Sequence, residues 1–379
     1  MLEGLLLWLL LPMGAALGWA LGRNPRPGGN DPETLSGLSY LASENPDRAI
    51  AALTRAVEKD PAAAELNLTL GALFRKRGEI DRALRLHDSV LNQPRLRPEL
   101  RAQALYELGQ DCLKAGLLDR AESLLREASS HSSHATPALE QLLGLQEQLA
   151  EWDAALDTAG RLEALKGQSL ATVRAHYSCE LAEQEDQGGQ LESALRLCRR
   201  ALEIDPACVR ASLLLGRLEA EAGRWTESLA AYLRVPEQDA RFLSEALPAI
   251  QKVCEASGAV DSFDGFLAHV EQAHGMDSAV WLARARQLVD PDVRASYLAD
   301  KLSQRPSWPG LVEFLGLPVA GEAGRLSRPV RAFREALIKA LERRPRYHCG
   351  HCGFSPSLLF WRCPSCKQWG TVHPAPDSL

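Results

Sequence analysis

The length, composition and charge of the chain exclude several classes of protein. Its 379 residues exceed what one hydrophobic core usually organises, which predicts two or three domains or one elongated array. Aromatic residues make up only 6% of the chain, while Leu, Ala, Arg and Glu dominate, and this composition favours helices over sheets. The formal net charge of -6 argues against wholesale binding of nucleic acid, which usually needs a basic domain. We therefore predict a nearly all-α protein that binds no nucleic acid.

Residues 1–22 predict a transmembrane helix. The 21 residues after the initial methionine carry one charge, Glu3, and at about 1.5 Å per residue they would cover about 31 Å, one hydrocarbon core. A cleaved signal peptide is the alternative, but it normally starts with basic residues, whereas this chain starts Met-Leu-Glu. Arg23 and Arg26 follow, so the positive-inside rule places the rest of a single-pass protein in the cytoplasm. Residues 23–34 predict a linker, because Pro, Gly and Asn are frequent there.

Small residues then recur at a fixed phase. Their spacings are 34, 38, 34, 39 and 34 residues, at Ala49, Ala83, Ala121, Ala155, Ala194 and Ser228. A small side chain lets two helices cross closely, and a glycine permits the turn between them. Such turns are predicted at Gly78, Gly116, Gly189 and Gly223. The pattern resembles the tetratricopeptide repeat, a helix-turn-helix unit of about 34 residues that stacks into a superhelix with a concave binding surface.

The predicted repeat array spans residues 35–324. Six units are clear to about residue 241, and they begin near Leu35, Glu65, Arg101, Pro137, Thr172 and Cys208. The Asp-Pro pairs at Pro61 and Pro206 predict the ends of two second helices, because proline cannot continue the hydrogen-bond ladder. After residue 241 the pattern degrades. Apolar helical spacing persists over 242–256 and 279–302, which predicts two or three divergent hairpins.

Residues 325–346 predict a basic amphipathic helix. They contain eight Lys or Arg and two Glu. Their apolar stripe consists of Val330, Phe333, Leu337 and Leu341. Two interpretations stay open for the basic face: it is solvated, or it contacts an acidic partner surface or anionic lipid headgroups.

Two CxxC pairs at the end of the chain, in residues 347–379, form the sharpest chemical motif. They are Cys349, Cys352, Cys363 and Cys366, and ten residues separate the pairs. Four thiolates on two tight knuckles fit a tetrahedral structural zinc site. A redox dithiol is the weaker alternative. Iron is also possible as the metal, but the short gap between the two pairs leaves few residues to surround the iron with apolar side chains.

The other five cysteines are single residues in helical stretches, at Cys112, Cys179, Cys198, Cys208 and Cys254. They are interpreted as buried free thiols in a reducing compartment. The chain contains no Walker loop, no GxSxG and no HExxH, so the sequence predicts no enzyme.

The segment from Tyr347 to Trp369 resembles a rubredoxin knuckle followed by a short zinc-ribbon knuckle, with CGF after the first pair and CPSC in the second. Together with the N-terminal anchor and the repeats, it resembles the lipopolysaccharide assembly protein B (LapB) family over the whole chain. The resemblance implies a protein of the bacterial inner membrane with its body in the cytoplasm. It also implies an adaptor that helps the membrane protease FtsH degrade the deacetylase LpxC, and a metal domain that packs on the repeats.

Two other functions remain open on the sequence. One is a rubredoxin-like iron redox protein that docks through its repeats, and the other is a structural scaffold for envelope assembly complexes. The sequence also leaves open whether the chain forms a homodimer.

Overall fold

The computed structural model describes residues 45–274, 278–317 and 328–376, together with Glu33, Ser36 and Tyr40. The predicted membrane helix (1–22) and almost all of the predicted linker (23–34) lie outside these residues. Within the described part of the chain, no helix is long and apolar enough to cross a membrane. The chain divides into two compact units, one ending at Gln148 and the other beginning at Leu149.

The first unit is built of helical hairpins. Its helices are α1 (Pro46–Lys59), α2 (Ala64–Arg77), α3 (Ile80–Leu91), α4 (Pro98–Ala115), α5 (Leu118–Ala128) and α6 (Ala135–Leu149), the last of which ends one residue into the second unit. Helix α2 pairs with α3, and α4 pairs with α5.

The second unit continues with hairpins and ends in a small β-ribbon. Its helices are α7 (Trp152–Lys166), α8 (Ala171–Gln187), α9 (Leu191–Ile204), α10 (Val209–Glu221), α11 (Trp225–Tyr232), α12 (Val235–Asp239), α13 (Leu243–Ser257), α14 (Val260–His274), α15 (Ser278–Gln287), α16 (Pro291–Gln304), α17 (Trp308–Phe314) and α18 (Arg328–Glu342). A 3₁₀ turn, Ala240–Phe242, joins α12 to α13. Two strands follow, β1 (Tyr347–Cys349) and β2 (Val372–Pro374), which pair antiparallel.

The repeat phase predicted from the small residues is confirmed. All six of these residues, from Ala49 to Ser228, are completely buried. The four predicted turn glycines all have positive φ, between 73° and 86°. The two Asp-Pro pairs directly follow α1 and α9, as predicted. Local chemistry therefore sets both the crossing points and the ends of these helices.

Helices also approach closely at glycines inside the hairpins. A Cβ on Gly216 of α10 would lie 2.7 Å from the ring of Tyr232 in α11, and one on Gly109 would lie 3.0 Å from Leu125. Real Cβ atoms essentially never come as close as the first of these distances. The fully buried hydroxyl of Ser228 uses the same proximity and donates to the Gly216 carbonyl at 2.6 Å.

In the degenerate part of the array, both stretches with apolar helical spacing are helical, whereas the stripe on α18 differs from the prediction. Residues 279–302 form two helices, because Pro291 begins α16 and Asp290 caps it by accepting from the N–H of Asp292 at 2.9 Å. Phe333, predicted on the apolar stripe of α18, is 61% exposed. Only Leu337 of that stripe is buried, since α18 contacts α17 over a short stretch.

Candidate metal centre

The last part of the second unit, residues 347–374, is called the ribbon below. Its two strands pair Tyr347 with Pro374, His348 with His373 and Cys349 with Val372. An isolated bridge joins Arg362 to Trp369, the residues that flank the second CxxC pair. These two pairings fix both CxxC segments relative to each other.

The two CxxC segments have the same backbone hydrogen bonds. Gly353 N–H donates to Cys349 O at 3.0 Å, and Lys367 N–H donates to Cys363 O at 2.9 Å. The two donors also share a left-handed conformation, with φ of 76° at Gly353 and 62° at Lys367. Glycine adopts this conformation freely, whereas lysine adopts it at a cost, so the second knuckle depends more on its surroundings.

The four sulfurs lie together as a metal site requires. All of them are within 4.8 Å of one another. Cys349 Sγ is 3.8 Å from Cys366 Sγ, and Cys352 Sγ is 3.8 Å from Cys363 Sγ. A tetrahedron with Zn–S bonds of about 2.3 Å has sulfur separations of about 3.8 Å. The arrangement therefore fits one tetrahedral ion, and the described residues contain no second cluster of this kind.

The environment of the cysteines favours thiolates at part of the site. Burial alone would raise the pKa of Cys349, but its hydrogen bond with Thr371 and those from backbone N–H groups lower that pKa to about 6. The Phe354 N–H lowers the pKa of Cys352. The Gln368 N–H favours the thiolate of Cys366, yet burial and the three neighbouring thiols raise its pKa to about 11. Because close thiolates repel one another, full ionisation of the cluster requires a cation.

The cluster is partly open to solvent. Cys363 is completely buried and Cys349 is 2% exposed, whereas Cys352 is exposed. The three nearby histidines are not in the cluster: His351 is exposed, and His348 and His373 face each other across the β-ladder. Which residues bind metal stays a prediction, and the geometry favours the four cysteines.

The ribbon packs against helices of the same unit through two tryptophans. Trp369 is 5.3 Å from the ring of His176, 5.7 Å from Tyr177 and 5.9 Å from Trp152, measured between ring centroids. Trp361 stacks on Phe242 at 5.5 Å and contacts His176 at 5.9 Å. We call the four side chains that receive these tryptophans the ribbon-binding face; they are Trp152, His176, Tyr177 and Phe242.

Two polar contacts support the same interface. Tyr347 Oη donates to Glu245 Oε1 at 2.7 Å, and His373 Nδ1 lies 3.6 Å from Asp239 Oδ2. Burial is the main cause of the low pKa of His176, about 3, and the nearby charge of Arg210 lowers it further. His176 is therefore neutral at physiological pH.

Sequence reasoning did not identify the ribbon-binding face or its polar partners. Asp239, Phe242 and Glu245 lie in the short stretch where the repeat pattern degrades. The sixth unit is cut short there, with an eight-residue α11 followed by α12 and the 3₁₀ turn, and the sequence shows this only as the loss of the repeat pattern.

Comparisons with known proteins agree with this architecture. Residues 347–374 match the family described as rubredoxin metal binding domain, and residues 34–95 and 187–253 match tetratricopeptide repeat families. Lipopolysaccharide assembly protein B of Escherichia coli strain K12 is 32% identical, and the match covers 97% of each chain. The protein of the same name in Haemophilus influenzae is 30% identical over 97% of this chain and 98% of its own. The chain therefore belongs to the lipopolysaccharide assembly protein B family.

Proposed function

We propose that this protein is an adaptor, anchored in the bacterial inner membrane, that regulates lipopolysaccharide synthesis by helping the FtsH protease degrade the LpxC deacetylase. The observation that carries the proposal is the packing of Trp361 and Trp369 on the ribbon-binding face. A metal site packed on repeat helices would fix the shape of the surface that those helices present to another protein. Relatives that match along 97% of the chain are named for lipopolysaccharide assembly, which supports the process.

In this proposal, Cys349, Cys352, Cys363 and Cys366 bind a structural zinc ion. The sulfur separations support tetrahedral coordination, and zinc with four thiolates is a closed structural site. The ion would cross-link the two knuckles, whose own buried cluster is small: Tyr347, Cys349, Cys363 and Val372. Thr371 and the backbone N–H groups stabilise the thiolates, and the two tryptophans join the folded ribbon to the array.

The proposed domain organisation follows the sequence. Residues 1–22 anchor the chain and 23–34 connect it to an array over 35–324, after which a basic helix (325–346) leads into the metal-binding domain (347–379). Tetratricopeptide repeats present extended surfaces that hold other proteins. The anchor confines that surface to the membrane where the protease lies, with the body in the cytoplasm, so the effective concentration of the two proteins is high without additional contacts.

The test is the half-life of LpxC in cells. Depletion of this protein should lengthen the half-life, and re-expression of the full chain should restore it. A variant without residues 1–23 should fold but restore it poorly. The matched control replaces residues 1–22 with an unrelated single-pass helix of the same length and orientation, which should restore degradation if the anchor acts by proximity.

An LpxC half-life that does not change on depletion contradicts the adaptor role. Loss of envelope assembly complexes with unchanged LpxC would instead support the scaffold function.

The exposed Cys352 is the observation that favours the redox alternative, because electron transfer requires a metal site near the surface. Metal analysis and visible absorption separate the two: a colourless protein with one zinc per chain excludes the iron redox function, whereas reversible visible bands support it.

A further inference from the structure

A cavity of about 650 Å³ lies in the second unit where repeat helices, the end of the basic helix and the ribbon meet. Its walls come from Arg241 and the start of α13, from the segment Arg305–Pro309, from the chain between α18 and β1, and from the residues after Val372. This volume lies in the range of sites that bind small ligands.

The lining of the cavity is strongly basic. Four arginines from three separate segments reach it: Arg241, Arg305, and the pair Arg344 and Arg346 between α18 and β1. Among the described residues that line the cavity, Glu245 is the only carboxylate, and it already accepts a hydrogen bond from Tyr347 Oη at 2.7 Å. A cavity with this charge balance favours an anion.

Two of the arginines are held in place by neighbours. The guanidinium of Arg241 forms a bidentate pair with Asp239, with nitrogen to oxygen distances of 2.9 Å and 2.8 Å. Arg344 lies over the ring of Trp308, with its Cζ 5.5 Å from the ring centroid. When Asp239 is counted with Glu245, the residues at this cavity include four arginines and two carboxylates. Guanidinium groups match the geometry of phosphate oxygens, with which they form paired hydrogen bonds.

We propose that this cavity binds a phosphate-bearing anion, either a phosphate monoester or a diphosphate. The ligand would contact the repeat array through Arg241 and Arg305, and the segment that leads from α18 into the ribbon through Arg344 and Arg346. Its charge would therefore strengthen the attachment of the ribbon to the array. The site is separate from the four cysteines, and its existence does not depend on the adaptor role.

The experiment measures binding of inorganic pyrophosphate to the full chain in non-ionic detergent by calorimetry, at constant ionic strength set with sodium chloride. We expect one site per chain. Arg305→Gln and Arg344→Gln should each weaken the affinity by about tenfold, the usual effect of losing a charge-assisted hydrogen bond. The matched control is Arg200→Gln, which removes the same charge from an exposed position on α9 and should leave the affinity unchanged.

Glu245→Gln provides a variant with the opposite expected sign. It removes the only lining carboxylate, while its amide oxygen can still accept from Tyr347, so the affinity for pyrophosphate should rise severalfold. Circular dichroism and metal content verify that each variant is folded. The proposal is overturned if the wild-type protein binds no pyrophosphate at constant ionic strength, or if Arg305→Gln, Arg344→Gln and Glu245→Gln all bind it with wild-type affinity.

A second arm identifies the source of the phosphate. The full chain is reconstituted in nanodiscs of phosphatidylcholine, with or without phosphatidic acid, and titrated with pyrophosphate. A lipid headgroup in the cavity would compete and weaken the apparent affinity in the phosphatidic acid nanodiscs, and Arg344→Gln should remove that difference. Equal affinity in both nanodiscs identifies the ligand as a soluble phosphate.

Discussion

Cys363 is the most enclosed of the four clustered thiols, and no part of it is exposed. In Cys363→Ser a weak hydroxyl ligand replaces a thiolate, so we expect the protein to lose stoichiometric metal. Because structural zinc contributes about 10–16 kcal/mol of apparent binding free energy in small domains, the ribbon should unfold. Metal content per chain and thermal denaturation measure the effect. Cys254→Ala, which changes a buried thiol in α13, is the matched control and should retain the metal. Stoichiometric metal and normal heat stability in Cys363→Ser would rule out the structural role.

His176 should make the interface with the ribbon sensitive to acid. Burial lowers the pKa of this histidine from its ordinary 6.5 to about 3. The unfolded chain therefore binds a proton at His176 below pH 6.5, whereas the folded chain binds it only near pH 3. Stability is therefore lost as the pH falls below 6.5, by about 1.4 kcal/mol at about pH 5.5. His176→Gln should remove this part of the pH dependence, while contacts with Trp369 are partly retained.

Urea denaturation at about pH 7.5 and pH 5.5 measures this difference in the wild type and in His176→Gln. Tryptophan fluorescence is a suitable signal, because Trp361 and Trp369 contact His176 and Trp152 contacts Trp369. The variant should lose about 1.4 kcal/mol less than the wild type between the two conditions. An identical loss in both proteins would show that other groups cause the acid sensitivity.

At the scale of elements, the glycines within helices fall into two classes with opposite expected effects. Gly216→Ala places a Cβ 2.7 Å from Tyr232, which is 5% exposed and cannot move aside freely. Overpacking of this kind costs about 1–3 kcal/mol. Gly160→Ala, inside α7, meets no atom within 4 Å and should stabilise the protein by about 0.5–1 kcal/mol. Thermal denaturation of the two variants tests the sign. Equal effects would show that the hairpin does not depend on this close approach.

The elements that the sequence predicts correctly are those with local chemical causes. Turn glycines, Asp-Pro stops and the CxxC knuckles each depend on residues within a few positions of one another. The contacts that join the ribbon to the array depend on residues far apart, such as Tyr347 and Glu245, which are separated by 102 positions. A single sequence carries no periodic pattern for such pairs. The left-handed backbone of Lys367 could not be predicted from the sequence either, because a glycine usually marks this conformation and none stands at that position.

The buried polar network in the first unit was missed for the same reason. His87 Nδ1 lies 2.5 Å from Asp111 Oδ2, and both residues are completely inaccessible to solvent. Arg75 Nη1 donates to the other carboxylate oxygen of Asp111 at 2.8 Å. These three residues come from α2, α3 and α4, and charged residues at such positions look like solvated helix faces in the sequence. Their burial becomes evident only when the hairpins are packed.

At the scale of the whole molecule, the metal and the repeat array should be linked in stability. Trp369 contacts three aromatic rings of α7 and α8, so unfolding of the ribbon exposes an apolar face on those helices. Removal of the metal with a chelator should therefore reduce the protection of amides in α8 against hydrogen exchange. Loss of these ring contacts is worth at least about 1.4 kcal/mol, which corresponds to a tenfold or greater loss of protection.

Hydrogen exchange measured by mass spectrometry, with and without metal, provides this comparison. Helix α2 of the first unit is the internal reference and should keep its protection, because its contacts lie within that unit. Trp369→Ala with metal bound should reproduce the loss in α8, since it removes the contact and leaves the four thiols intact. Unchanged protection of α8 in both cases would mean that the ribbon packs against α7 and α8 without stabilising them. The metal would then have no effect on the stability of the repeat helices.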